Sequence, residues 1–413
     1  MGDIVVNKRY GIVKSSILVI MFYLLIFQNA LENYFELFGI LDESISLIFL
    51  LYGVYRITFN RKKAKINKNN IQIIVCLIII GIIGLAGNIL YKYQDTVPLI
   101  KDGVSVFKGM ITYVCIPIIF LDFKISDYLE IINKHIKIIS VGILTLVLVN
   151  FVFDIFPHYE IRYGIKSQQI FFSHPTYLAS FSVLLVGLLS VNLKNHKENK
   201  IYIFISLIIL TTTMRFKAIA FIPIYMYMFY IVIIKERKLQ IKDIVILGIL
   251  GLIFAGTQIR EYVQNPDWAR SALSITSLKI GKDHFPIGSG FGTYASWVSG
   301  ESYSKIYNIY GLSKVWGLSP DFHEFVADTF WPMIIGQFGF IGLAIYTFII
   351  YKIYINIKNN DNLYYYFGQI LLLLYLLVLS VAEASFSGPI VVIYMVFIGL
   401  LGKDRDKGIS YIK

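Results

Sequence analysis

The stretch IQIIVCLIIIGIIGLAGNILY, residues 71–91, decides the fold class. It holds no charged side chain, and as a helix rising about 1.5 Å per residue it crosses the roughly 30 Å of a bilayer's hydrocarbon core. Runs of this kind recur along the 413-residue chain, which is 57% hydrophobic and 15% charged. The mean hydropathy of +0.67 lies far outside soluble globular usage. The sequence therefore predicts an all-α polytopic membrane protein. The expected spans, about twelve, are 12–30, 44–60, 71–91, 104–121, 136–156, 175–193, 201–214, 218–234, 243–259, 327–351, 363–381 and 388–402.

Charge sets the expected orientation. With both termini cytoplasmic, the basic stretches RITFNRKKAKINK (56–68) and KERKLQIK (235–242) fall on the inner side, and the outer segments come out slightly acidic. The net charge of +12 is thereby explained as an orientation signal, and no nucleic-acid partner is needed. The lipid bilayer is the partner this composition implies. Cys76 and Cys115 fall inside expected spans and read as small buried apolar residues. The first apolar run is long, without a small-residue cleavage pattern, and reads as a retained helix. The paired Gly/Pro-broken helices of many secondary transporters are not visible.

Three parts follow from this reading: helices over 1–259, a large extracytoplasmic loop over 260–326, and the last three spans with a cytoplasmic tail over 327–413. The loop contains three of the chain's four tryptophans and many tyrosines and phenylalanines, which argues against disorder. Its rings are expected to form a small core, lie at the bilayer interface, or stack on sugar faces. In HFPIGSGFGTYASW (284–297) the glycines permit tight turns and close backbone approach. Without a preceding strand, GSGFG does not read as a dinucleotide or phosphate loop.

The charged residues at the outer rim are the candidates for function. TTTMRFKAIAF (211–221) places Arg215 and Lys217 in a very short turn between two apolar runs. The positive-inside rule disfavours cations there unless an anion is held, although an arginine snorkelling from a helix end is the ordinary alternative. Arg270 lies in DWARSALSITSLKIGK (267–282), with apolar residues at helical spacing. His323 and Glu324 lie in SPDFHEF (319–325), read as leading directly into a span and so putting His323 near a helix N-terminus. Arg162, Lys166 and His174 come from YEIRYGIKSQQIFFSHPTYLA (159–179), and Glu383 from the turn SVAEASFSGP (380–389). Arg260 stands at the start of the loop.

Taken in order, these pieces resemble the superfamily of O-antigen ligases and Wzy-type O-antigen or capsule polymerases. TTTMRFKAIAF resembles that family's T-x-S-R-x-A turn, with Met214 where Ser is usual. The segment from Arg270 through Tyr294 resembles its R-x-x-x-W … hPl-GvG-G-x-F stretch, with Leu273 or a neighbour in place of Trp. DFHEFVADTFWPMIIGQFGFIGLAIY resembles H-N-x-x-L … E-x-G-x-x-G, with Glu324 for Asn and Gln337 for Glu. The likeness covers residues 160–350 and is one of topology elsewhere.

The resemblance implies a GT-C-like helical fold in the bacterial cytoplasmic membrane, with the active site on the extracytoplasmic face. It implies glycan transfer, with inversion and without metal or other cofactor, from an undecaprenyl-diphosphate carrier to an acceptor hydroxyl. Arg215 and Arg270 match the family's arginines, suited to a diphosphate leaving group by their fixed, bidentate donors. His323 matches its loop histidine, suited to general-base work near neutral pH. Lys217, Arg162, His174, Arg260, Glu324 and Glu383 are the further substrate-binding candidates. A polymerase takes a second undecaprenyl-diphosphate-linked glycan as acceptor and works beside a flippase and a chain-length regulator. A ligase takes lipid A–core or another anchor. A lipid-linked oligosaccharide flippase is the alternative of a different class, and it would concentrate polar residues near mid-membrane.

Overall fold

The computed structural model describes residues 16–59, 66–121, 124–162, 164–251 and 268–402. It is 73% helical with almost no sheet. The helices are α1 (Ser16–Ile26), α2 (Gln28–Glu32), α3 (Leu41–Phe59), α4 (Lys68–Tyr91), α5 (Thr96–Ile119) and α6 (Ile125–Phe153). A short hairpin, β1 (His158–Arg162) with β2 (Ile165–Gln168), leads into α7 (Pro175–Val191), α8 (Asn199–Thr212) and α9 (Phe216–Ile234). After α10 (241–251) come α11 (Ala269–Asp283), α12 (Trp297–Glu301) and α13 (Lys305–Ile309). The last three are α14 (Trp331–Lys358), α15 (Leu363–Leu379) and α16 (Ile390–Leu401).

Within the described residues a helix occupies part of every expected span, but length and composition qualify six for crossing a membrane. These are Glu36–Phe59, Lys68–Tyr91, Thr96–Ile119, Ile125–Phe153, Phe216–Ile234 and Trp331–Lys358. The shorter apolar helices α7, α15 and α16 lie inside, and α16 is buried along its whole length. Its 12 residues reach only about 18 Å. Their neighbours cover them: α16 packs on α5 and α15, and α15 on α7. The outer helices α3, α4 and α6 turn Leu51, Ile82, Leu90, Leu148 and Val152 outward, each more than half exposed. A helix apolar on every face belongs inside, and an exposed apolar face belongs against lipid.

Helix ends follow local chemistry. Asn67 caps α4 by accepting the Asn70 N–H at 2.7 Å, and Asn362 caps α15 through the Tyr364 and Tyr365 N–H groups. α5 and α6 begin earlier than the apolar pattern predicted, at Thr96 and Ile125. Lys108, 3% exposed in α5, is held by Asp42 and Glu43 of α3 at 2.5 Å each. The first expected span is interrupted at Phe27, between α1 and α2.

α14 is two helices joined at Gly339, whose φ of 65° and ψ of −170° are not helical. The break leaves the carbonyls of Gly336 and Gln337 without their helical partners. The N–H groups of Ser289 and Gly290 take them, at 2.9 and 2.8 Å. The GSGFG loop is therefore threaded into the helix break, and its other side is pinned to α4 and α5. Asn88 bonds both the N–H and the carbonyl of Phe291, at 2.7 and 2.9 Å, and buried Asp102 accepts the Gly292 N–H at 2.8 Å. Gly288, Gly290 and Gly292 all have positive φ, as close backbone approach requires.

The rest of the segment from 268 to 330 packs on this anchor. α11 lies along α14, and Tyr294 bonds the Leu273 carbonyl at 2.5 Å. Tyr294 and Tyr307 are fully buried, whereas Trp297 and Trp316 are mostly exposed. The aromatic content thus divides between a small core and an outward-facing set.

Candidate anion-binding site

The site is built on the turn between α8 and α9. α8 ends at Thr212, Met214 adopts φ 51°, and Arg215 stands as the extended N-cap of α9. A side-chain-bearing residue at positive φ costs on the order of 1 kcal/mol, so the surroundings must hold it. The hairpin does so. The Ser167 hydroxyl donates to the Thr213 carbonyl at 2.8 Å, and Arg162 Nη1 donates to the Met214 carbonyl at 3.4 Å. This hairpin is a small addition to an otherwise all-α fold that the sequence reading did not include. Its alternating residues place Glu160 and Arg162 on one face.

Arg215 is half enclosed by what the hairpin and α7 supply. Its Nη2 donates to His174 Nε2 at 2.6 Å, and its Nη1 lies 3.3 Å from Glu160 Oε1. The guanidinium carbon is 4.6 Å from the centre of the Tyr159 ring. Glu160 is shared with Arg162 Nε at 2.9 Å. Arg215 Nε is buried and makes no hydrogen bond. His174 also caps α7, accepting the Thr176 N–H on Nδ1 at 3.2 Å. Both of its ring nitrogens therefore face donors, whereas a neutral imidazole can accept at only one. Burial, reinforced by Arg215, Lys217, Arg162 and Arg270, pushes the His174 pKa down to about 3.

Two more ion pairs complete the patch. Lys217 Nζ meets Glu383 Oε1 at 2.8 Å, and the Thr176 hydroxyl donates to the same oxygen at 3.3 Å. Arg270 Nη2 meets Asp328 Oδ2 at 2.7 Å. Burial raises the Asp328 carboxyl above its ordinary range, with Arg270 and Lys217 opposing and Glu383 assisting. Four cations from three segments, the hairpin, the α8–α9 turn and α11, thus surround His174, countered by three carboxylates, Glu160, Glu383 and Asp328. Positive charge is in excess by one, in a half-buried setting where screening is reduced.

Of the residues singled out from the sequence, the structure brings Arg162, His174, Arg215, Lys217, Arg270 and Glu383 together. His323 stands apart from these pairs. Its Nδ1 lies 3.2 Å from the Pro320 carbonyl, and its ring packs where a side chain on Gly300 would fall. The expected helix N-terminus at His323 is not there. Turns closed by the Val326 N–H on the His323 carbonyl and the Asp328 N–H on the Phe325 carbonyl intervene, and α14 begins only at Trp331. Glu324 is exposed, Lys166 pairs with Asp154, and Arg260 lies outside the described residues. Among the described residues no three His, Cys, Asp or Glu side chains are grouped as metal ligands.

Sequence reasoning missed Tyr159, Glu160, Thr176 and Asp328. The Glu-x-Arg spacing of Glu160 and Arg162 was a usable signal had the hairpin been recognised. Nothing in the sequence pairs Asp328 with Arg270 across 58 residues. No protein-family model matches this chain, and no curated protein matches it.

Proposed function

We propose that this chain is a bacterial cytoplasmic-membrane glycosyltransferase of GT-C-like architecture with about twelve spans. In this reading both termini are cytoplasmic and the site faces outward. The enzyme polymerises undecaprenyl-diphosphate-linked oligosaccharide repeat units into O-antigen, capsular or exopolysaccharide. The observation that carries the reading is the convergence of Arg162, Arg215, Lys217 and Arg270 around one half-buried point where the hairpin meets helix ends.

The chemistry needs such a point. As the bond between the donor sugar's anomeric carbon and the diphosphate oxygen breaks, negative charge grows on the leaving group. Preorganised guanidinium and ammonium donors stabilise that charge most in a partly dry site. The acceptor hydroxyl oxygen forms the new bond from the opposite face and gives its proton to a base. His323 is assigned that role from the family likeness. His174, held neutral beside Arg215, orients that guanidinium instead.

The test is a reaction in nanodiscs with a synthetic undecaprenyl-diphosphate repeat unit and EDTA. Wild type is expected to yield a ladder of longer lipid-linked glycans. Arg215→Ala, Arg270→Ala and His323→Ala, each monodisperse on size exclusion, are expected to lose it. An undiminished ladder in all three would remove the site assignment. Transfer only when a separate acceptor is supplied would select the ligase reading.

A further inference from the structure

Each cation of the site is already held by a carboxylate of the same chain, and each carboxylate arrives on a different segment. Glu160 comes from the hairpin and serves Arg162 and Arg215. Glu383 comes from the turn between α15 and α16 and holds Lys217. Asp328 comes from the segment before α14 and holds Arg270. All three are between 24% and 31% exposed, so water and solutes reach them. Each of the four pairs is a single nitrogen–oxygen contact, and the buried Nε of Arg215 has no acceptor. The pairs are thus of the weak, partly solvated kind.

From this we infer that Glu160, Glu383 and Asp328 are exchangeable counter-ions that set the affinity of the site for a diphosphate. The inference rests on the transferase reading and adds to it a reason for carboxylates in an anion site. With the site empty, the carboxylates satisfy four cations that would otherwise face a low-dielectric rim uncompensated. A diphosphate entering the site takes over the cations, and the carboxylates turn to solvent. They then stand close to the bound anion and repel it, which speeds release of the spent lipid diphosphate. A site of four unopposed cations would bind the product as tightly as the donor and turn over slowly.

The inference separates counter-ions from carboxylates that touch substrate hydroxyls or only hold the fold. Removing a negative charge beside a bound anion strengthens binding in proportion to the anion's own charge. Removing a hydrogen-bonding or structural carboxylate weakens binding or leaves it unchanged. The probes are farnesyl diphosphate, inorganic pyrophosphate and inorganic phosphate, titrated calorimetrically into purified protein in nanodiscs. The variants are Glu383→Gln and Asp328→Asn, which keep side-chain shape.

Each variant is expected to bind farnesyl diphosphate about three- to tenfold more tightly than wild type, with a smaller gain for phosphate. Raising the ionic strength should shrink the gain. In the Lys217→Met background the Glu383→Gln gain should fall sharply, because its counter-ion partner is gone. If either variant fails to fold, the other together with the Lys217→Met pair still decides the matter. Wild type that binds while folded amide variants bind more weakly or equally would overturn this inference and leave the site standing. No binding of any of the three anions by wild type or variants would overturn the diphosphate site itself.

Discussion

Arg215 is the residue on which the site turns, and its contacts explain why lysine cannot replace it. One guanidinium reaches Glu160, His174 and the Tyr159 face at once, and a single ammonium cannot cover those directions. Arg215→Lys is therefore expected to reduce transfer by roughly 10- to 100-fold while the protein stays folded. Comparing initial rates with thermal melts checks both halves of that statement. His174 supplies a pH signature. Its pKa is depressed to about 3 in the folded protein, against about 6.5 in an unfolded chain. As pH falls from 6.5, the unfolded state takes up a proton that the folded state refuses, so folding stability is lost on acidification through that window. The His174→Gln protein should show a flatter fall in melting temperature between pH 6.5 and pH 4. An equal slope in both proteins would mean that His174 is not held neutral by its surroundings. At this scale the sequence was half legible. Arg215 and Lys217 stood out because cations are scarce in outer turns. Their carboxylate partners did not, because acidic residues there are ordinary and their pairings are long-range.

At the scale of elements, the decisive feature is the break in α14 with the glycine loop laid into it. A side chain at Gly339 would combine a positive φ with a Cβ only 2.4 Å from the Pro286 carbonyl oxygen. Gly339→Ala is expected to destabilise the protein by about 2–4 kcal/mol, read as a lower melting temperature in detergent. Asn88 tests the other side of the same joint. In Asn88→Ala the buried Phe291 N–H and carbonyl lose their partners, at a cost of about 1–3 kcal/mol. Amide exchange should then rise over residues 288–293 ahead of the surrounding helices. Uniform exchange across the protein would show that the loop is not an independent unit. The helices themselves were legible from apolar run length, because hydrophobic burial and membrane thickness leave few alternatives. The break was not. Gly339 in GQFGFIG looks like any small residue in a membrane helix, and its φ is dictated by a loop some 50 positions earlier in the sequence. The hairpin escaped for a similar reason, since its two strands are short and held by contacts to the α8–α9 turn.

For the whole molecule, the arrangement is the short, largely buried helices α7, α15 and α16 wrapped by longer ones with apolar outer faces. Both native cysteines lie within it, Cys76 at 9% and Cys115 at 7% exposure. The intact protein should resist a membrane-impermeant thiol reagent. A cysteine placed at Trp316, which is 72% exposed, should label from outside the cell. Labelling only from the cytoplasmic side would reverse the proposed orientation and remove the site from the face where an extracytoplasmic glycan is assembled. The central claim is that the cationic patch transfers glycan from a lipid diphosphate. The measurement that tests it most directly supplies purified wild type with one synthetic undecaprenyl-diphosphate repeat unit and follows the product by mass spectrometry. Lipid-linked products lengthened by whole repeat units, with free undecaprenyl diphosphate released one for one, are the expected result. Substrate recovered unchanged under every acceptor condition, while the same protein moves it across a vesicle membrane, would contradict the claim and make the chain a transporter.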